Sequence, residues 1–292
     1  MKKLLIVLMF IPFFEMYSQG CSDAGICTVD NMKSHENDSI IYKNAIKIGV
    51  NYGISYENIN IFGSYIAYNR KILNNVNVDL KLTYFNQFTS EVSSSALSDA
   101  IISSNIRLNE GLTGTIGFKI PFTDGNLKEN GAPLPMDFQP SLGTFDVILG
   151  VSKRVNKFNF VLGYQQPLTQ NKNEFIAPPN SRFSSTNNYK RAGDLLFRAV
   201  YNYQINDRFT FSPSLLPIYH IAEDKYTDLS NIETSIDGSA GLTLNANLYF
   251  NYKLSDKKSL EFSLGGPLLV REVRPDGLTR GIVVNVQYKF LF

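Results

Sequence analysis

The feature that most constrains this chain is a period of two sustained for longer than an ordinary sheet needs. From residue 46 the even positions read Ile46, Ile48, Val50, Tyr52, Ile54 and Tyr56, with Lys47, Gly49, Asn51, Gly53 and Ser55 between them. Successive side chains of a strand point to opposite faces, so this stretch has one apolar and one polar face. It also outruns the ~5–6 residues usual for a soluble strand. The pattern returns as Val76, Val78, Leu80, Leu82 and Tyr84 against Asn77, Asp79, Lys81 and Thr83. It recurs around Leu112–Phe122, Phe145–Val151 and Leu242–Tyr252, and closes with Ile282, Val284, Val286, Tyr288, Phe290 and Phe292.

Twelve strands are predicted, near 41–56, 60–71, 76–88, 98–108, 111–122, 142–154, 157–168, 190–205, 208–222, 237–254, 258–272 and 279–292. Their connections alternate. One set is short and turn-like (73–75, 109–110, 156–157, 206–207, 255–257), and the other contains long polar stretches at 123–141, 168–189 and 223–236. Lipid offers backbone groups no hydrogen bonds, so a sheet in a bilayer has to close on itself. The expected fold class is therefore all-β, a transmembrane antiparallel up-and-down β-barrel of about twelve strands in the outer membrane. A secreted β-sandwich is the soluble alternative. Two aromatic girdles disfavour it: Tyr52, Tyr56, Tyr84, Phe122, Tyr164 and Tyr219 toward the long loops, and Tyr201, Tyr203, Tyr252, Tyr288 and Phe292 toward the short turns. Outer-membrane lipids are one expected partner. The barrel-assembly machinery is another, through the aromatic C-terminal strand ending in Phe292.

The amino terminus fits export. Lys2 and Lys3 precede an apolar run from Leu4 to Phe14 and a polar Ser18-Gln19-Gly20, the layout of a signal peptide over residues 1–20. Residues 21–39 form a polar periplasmic segment, either a plug folded into the lumen or a disordered lead-in, and residues 40–292 the barrel. Cys21 and Cys27 enclose five residues and are read as a disulfide in an oxidising compartment; lipidation of Cys21 is the competing reading.

Charge and composition narrow the function classes. A net charge of +2 argues against nucleic acid as a partner. With two His and two Cys and no phosphate-cradling glycine loop, neither a metal nor a cofactor is expected. By parity the lumen would hold Lys43, Lys47, Asp79, Lys81, Asp99, Arg107, Lys119, Asp146, Arg198, Glu261 and Lys289. Such charges either brace the barrel as ion pairs or form a constriction that selects solutes. The basic members outnumber the acidic seven to four, a weak lean toward anions. His35 belongs to the polar lead-in. His220, followed by Glu223 and Asp224, is the one candidate acid–base group, and no spacing singles out Ser230 or another loop serine as a nucleophile beside it. No catalytic residue is assigned.

Within residues 98–166, Ser98-Asp99-Ala100, Leu108-Asn109-Glu110-Gly111-Leu112 and Gly117-Phe118-Lys119-Ile120-Pro121, continuing to Gln139-Pro140-Ser141-Leu142-Gly143-Thr144-Phe145-Asp146 and Leu149-Gly150, carry a family likeness. Over about a quarter of the chain it resembles the outer-membrane transporters associated with meta-pathway phenol degradation, which are similar to the long-chain fatty-acid transporters. That resemblance implies passage of small, often hydrophobic molecules, an N-terminal luminal hatch that would suit residues 21–38, and a Gram-negative, Bacteroidetes-type source. The fatty-acid transporters have fourteen strands against the twelve expected here, so no binding residue is carried over. The expected function is a channel or facilitator for small solutes, hydrophobic ones included. The alternatives are a closed structural or partner-binding barrel using loops 123–141 and 168–189, and an outer-membrane hydrolase using His220.

Overall fold

The computed structural model describes residues 42–55, 57–277 and 280–292. The expected signal peptide over residues 1–20, Cys21, Cys27, His35 and the segment 21–39 lie outside the described residues. Twelve strands close one antiparallel barrel: β1 (Asn44–Ser55), β2 (Asn60–Leu73), β3 (Val76–Phe88), β4 (Ser93–Asn109), β5 (Leu112–Pro121), β6 (Asp146–Val155), β7 (Phe158–Pro167), β8 (Asp194–Tyr201), β9 (Phe209–His220), β10 (Gly241–Ser255), β11 (Lys258–Leu269) and β12 (Arg280–Leu291). Each strand pairs with the next in sequence, and β12 returns to β1. The seam is locked at its lower end by Asn44 N to Phe292 O at 3.1 Å and Phe292 N to Asn44 O at 3.0 Å. No edge is left to the lipid.

Burial follows the alternation. On β1, Ala45, Gly49, Asn51, Gly53 and Ser55 are buried, whereas Ile48, Val50, Tyr52 and Ile54 are exposed. Exposed Phe62, Ile66, Leu80, Ile116, Phe118, Leu149, Leu162, Phe197 and Val286 continue that apolar belt around the barrel. A belt this size far exceeds the patches a soluble monomer exposes and is the surface a bilayer covers. Glycines let inward side chains lie across neighbouring strands. Tyr65 of β2 crosses Gly49 of β1 so closely that a Cβ there would fall 2.2 Å from the ring, and its hydroxyl donates to Gln287 Oε1 of β12 at 3.0 Å. Three strands are thereby braced by one side chain.

Four strand starts differ from expectation. β4 begins at Ser93, because Ser93–Leu97 continue pairing with β3 beyond a bulge between Leu82 and Tyr84 that leaves Ser98 and Asp99 both buried. β6 starts only at Asp146, since Leu142 is drawn into loop packing and Gly143 has φ +68°. β8 starts at Asp194 and breaks at Asn202, and β10 starts at Gly241; their first expected residues are held in the outer loops by the contacts described next.

Candidate functional site

The inside of the barrel is polar nearly all round and carries one apolar patch. Ile101 of β4, Ile148 of β6, Val161 of β7, Leu196 of β8 and Leu216 of β9 face inward and form one buried apolar cluster, with Ile218 packed against it. The wall from β10 through β12 to β3 is polar: Asn51, Asp79, Lys81, Thr83, Asn245, Asn247, Glu261, Gln287 and Lys289 are buried there. The apolar inner patch was missed by sequence reasoning, because each strand contributes one such residue among polar ones and no single strand announces it.

The eleven sequence candidates fall into three groups. Lys43 and Arg107 are exposed at the periplasmic rim, one preceding β1 and the other two residues from the end of β4. In the lower interior stand Lys47, Asp79, Lys81, Glu261 and Lys289; Asp79 accepts from Asn69 Nδ2 at 2.7 Å and Asn105 Nδ2 at 2.5 Å, and Lys81 Nζ lies 4.2 Å from the centroid of Tyr65. In the upper interior Lys119 and Asp146 form a buried ion pair at 3.4 Å. Thr144 bridges them, accepting from Lys119 at 3.1 Å and donating to Asp146 at 2.6 Å. Asp99 accepts from Ser141 Oγ at 2.6 Å, whereas Arg198, three residues from the periplasmic end of β8, is buried with the lower group.

Above them, the β5–β6 loop folds across the mouth. Leu134 and Phe138 pack against Ile59, Ile61 and Phe85 on one side. Met136 packs with Leu142, Tyr189 and Ile236 from other loops. Gln139 pins this strap: its side chain accepts from Leu127 N at 2.8 Å and donates to Leu127 O and Leu134 O at 3.0 Å. Its carbonyl accepts from Gln87 Nε2 at 3.2 Å, and Ser94 Oγ donates to the carbonyl of Phe138. Asp137 rides on the strap with Glu57 and Asp276 in electrostatic reach; burial raises its carboxyl to about 7.

His220 ends β9 inside a buried ion cluster. Its Nδ1 is 2.7 Å from Asp194 Oδ1 and its Nε2 is 2.7 Å from Asp224 Oδ1. Both nitrogens need a proton to make both bonds, so the ring enters as a cation with no lone pair for general-base work. Arg191 meets Asp194 at 2.7 Å and Asp276 at 3.2 Å, and Arg271 meets Asp276 at 2.6 Å. Three carboxylates thus face two guanidiniums and one imidazolium. Burial would raise Asp276, but the Arg271 and Arg191 charges hold it well below the usual carboxylate range. Tyr189, buried and donating to Asp224 at 2.7 Å, has its phenol pushed far up by burial and by that carboxylate. Of the neighbours named with His220, Asp224 belongs to the cluster and Glu223 binds Ser239 Oγ at 2.6 Å instead, while Ser230 stands apart on the 228–232 turn. The cluster ties three outer loops to β8 and β9. Among the described residues no group of three or more His, Cys, Asp and Glu is arranged to hold a metal ion.

Charge is distributed unevenly along the barrel axis. The outer connections 57–59, 89–92, 122–145, 168–193, 221–240 and 270–277 hold 13 acidic and 8 basic residues. The turns and strand ends at 42–43, 70–77, 107–113, 153–158, 202–209 and 253–258 hold 3 acidic and 11 basic residues.

Solved structures similar to this one include outer-membrane barrels. The crystal structure of the COG4313 outer membrane channel from Pseudomonas putida F1 superposes with a TM-score of 0.62 at 12% identity, covering 89% of this chain and 100% of that one. The chain is an outer-membrane β-barrel. The CymD monoaromatic hydrocarbon channel (TM-score 0.49, 8% identity, 96% and 99% coverage) and the NanC porin (0.47, 10%, 85% and 98%) are more distant. No family model matches the sequence, and no curated protein matches it.

Proposed function

We propose that this barrel is a channel or facilitator for small solutes, hydrophobic ones included. The observation that carries the reading is a largely polar, charge-bearing interior with one apolar patch on β4 and β6–β9, inside a closed twelve-stranded cylinder. Eight strands enclose only a side-chain core and sixteen an aqueous channel, so at twelve the luminal side chains and the strap decide what passes. The solved barrel that matches best in shape among those named is itself described as a channel. Membership of the transporter family resembled at residues 98–166, its Bacteroidetes-type source, cleavage of residues 1–20, a Cys21–Cys27 disulfide, a plug formed by residues 21–39, and delivery by the barrel-assembly machinery belong to the same proposal.

Single-channel recording of the refolded mature protein in a planar bilayer tests it. Discrete ohmic steps are expected, larger after Phe138→Ala releases the strap. Silence from both proteins refutes the channel and leaves a closed surface barrel.

A further inference from the structure

The short-turn end of the barrel carries 11 basic residues against 3 acidic ones, and strand register decides which of them reach the outside of the wall. Arg70 of β2 lies opposite Val78 of β3, Lys153 of β6 opposite Phe160 of β7, and Lys258 of β11 opposite Phe290 of β12. Cross-strand partners share a face of the sheet. Val78, Phe160 and Phe290 stand in the rows of Leu80, Leu162 and Val286, which are exposed on the outer belt. Arg70, Lys153 and Lys258 therefore point outward, and all three are exposed. Among the described residues none of them meets a carboxylate; Lys153 Nζ donates only to the carbonyl of Glu110, at 3.4 Å. Placed on β2, β6 and β11, they are spread around the cylinder.

The surface on the membrane side of these cations is aromatic. Phe158, Phe160, Tyr203, Tyr252 and Phe292 are exposed at this end. Phe158 packs on Tyr201 at 5.0 Å and on Phe160 at 5.8 Å between centroids. Lys157 Nζ stands 5.7 Å from the Tyr203 centroid, and Lys257 Nζ 5.3 Å from that of Tyr42. Aromatic rings of such a girdle lie at headgroup depth, and basic side chains beside them extend their stems along apolar surface and place the charge among the phosphates. What covers this surface is thus the leaflet facing the periplasm.

Charge then selects among the lipids of that leaflet. A zwitterionic headgroup brings its own cation next to the phosphate, whereas a headgroup such as phosphatidylglycerol brings the phosphate alone. The outer connections, with 13 acidic and 8 basic residues, have the opposite sign and offer anionic lipid no such attraction.

We infer that the periplasmic end of the barrel is a docking collar for anionic phospholipids, with Arg70, Lys153 and Lys258 on the phosphates and the aromatic girdle on the upper acyl chains. The collar holds its lipids whether or not the barrel conducts.

The chain has no tryptophan, so one introduced indole reports the lipid beside it. Phe160→Trp puts that indole across from Lys153 in the periplasmic girdle, and Tyr219→Trp puts it in the outer girdle. Each variant is refolded into phosphatidylcholine vesicles in which part of the lipid is brominated phosphatidylglycerol or, separately, brominated phosphatidylcholine. Quenching then gives the relative occupancy of the neighbouring lipid sites. Beside Phe160→Trp, phosphatidylglycerol should be favoured about fivefold at low salt, the worth of one basic residue at an anionic surface. Molar salt should erase that preference, and adding K153Q should remove most of it. Tyr219→Trp should see the two lipids alike. Equal quenching by both lipids at Phe160→Trp overturns the inference and leaves the basic collar to a soluble acidic partner. An equal preference at Tyr219→Trp, or one that survives both K153Q and molar salt, overturns it too, because the collar would not be its source. The lipid and salt comparisons need only Phe160→Trp, so they decide even where K153Q fails to fold.

Discussion

The outer mouth and the lower interior handle buried charge in opposite ways. At the mouth, Asp194, Asp224 and Asp276 are matched one for one by Arg191, Arg271 and the His220 imidazolium, at 2.6–3.2 Å for the pairs that share a bond. In the lower interior the charges are spaced along the strands, and Lys47 and Lys289 are direct cross-strand partners. A balanced, hydrogen-bonded cluster holds parts together, whereas like charges set opposite each other across two strands do not. The difference separates the part of the barrel that ties its outer loops down from the part that lines its lower interior.

Breaking the balanced cluster should have the largest effect. Removing one partner of a buried ion pair strands the other charge, at about 3–5 kcal/mol. Arg271→Ala takes the guanidinium from Asp276 and the donor from the Ser239 carbonyl at 2.8 Å. Loops 168–193, 221–240 and 270–277 should become protease-sensitive while the barrel keeps its heat-modifiable migration on gels. Loops that stay resistant would mean that apolar packing around Met136 and Tyr189 holds the mouth without the ions.

How much of this was legible beforehand follows from which signals are local. The strand count and closure were, because alternation and turn residues such as Asn156, at φ +54°, act over a few positions. The inward charges from Lys47 to Lys289 were also assigned by parity alone. The His220 cluster was not: Arg191 and Asp194 lie about eighty residues from Arg271 and Asp276 in sequence, and only barrel closure brings β8, β9 and the β11–β12 loop to one rim. The strap was hidden for the same reason. Residues 134–138, Leu-Pro-Met-Asp-Phe, sit within a polar loop, and their apolar members find partners only across the mouth.

A medium effect should come from the lower interior. Gly49→Ala places a Cβ where the Tyr65 ring now lies, and overpacking of this kind costs about 1–3 kcal/mol. Tyr65 can swing aside only by losing Gln287 and its place under Lys81. Urea unfolding from lipid vesicles should show the loss for Gly49→Ala and a smaller additional loss when Tyr65→Ala is combined with it than the two single values predict. Additive losses would show that Tyr65 is not what Gly49 makes room for.

The smallest effect concerns Asp137, which connects the two regions because its strap lies over the outer end of the barrel interior. Its carboxyl is raised to about 7 by burial, with Glu57 and Asp276 adding to the rise and Arg274 opposing it. The docked strap therefore favours protonated Asp137 over the carboxylate of a freely solvated loop, whose value is near 3.9. The sign follows from linkage: docking is strongest below about pH 4, weakens as pH rises toward about 7, and is level above it. Channel conductance should accordingly rise between those limits as the strap loosens. Asp137→Asn, which cannot ionise, should remove that dependence and keep the low-pH conductance throughout. A wild-type conductance that is flat across this window would detach Asp137 from the strap's docking and leave the packing of Phe138 and Met136 as what holds it.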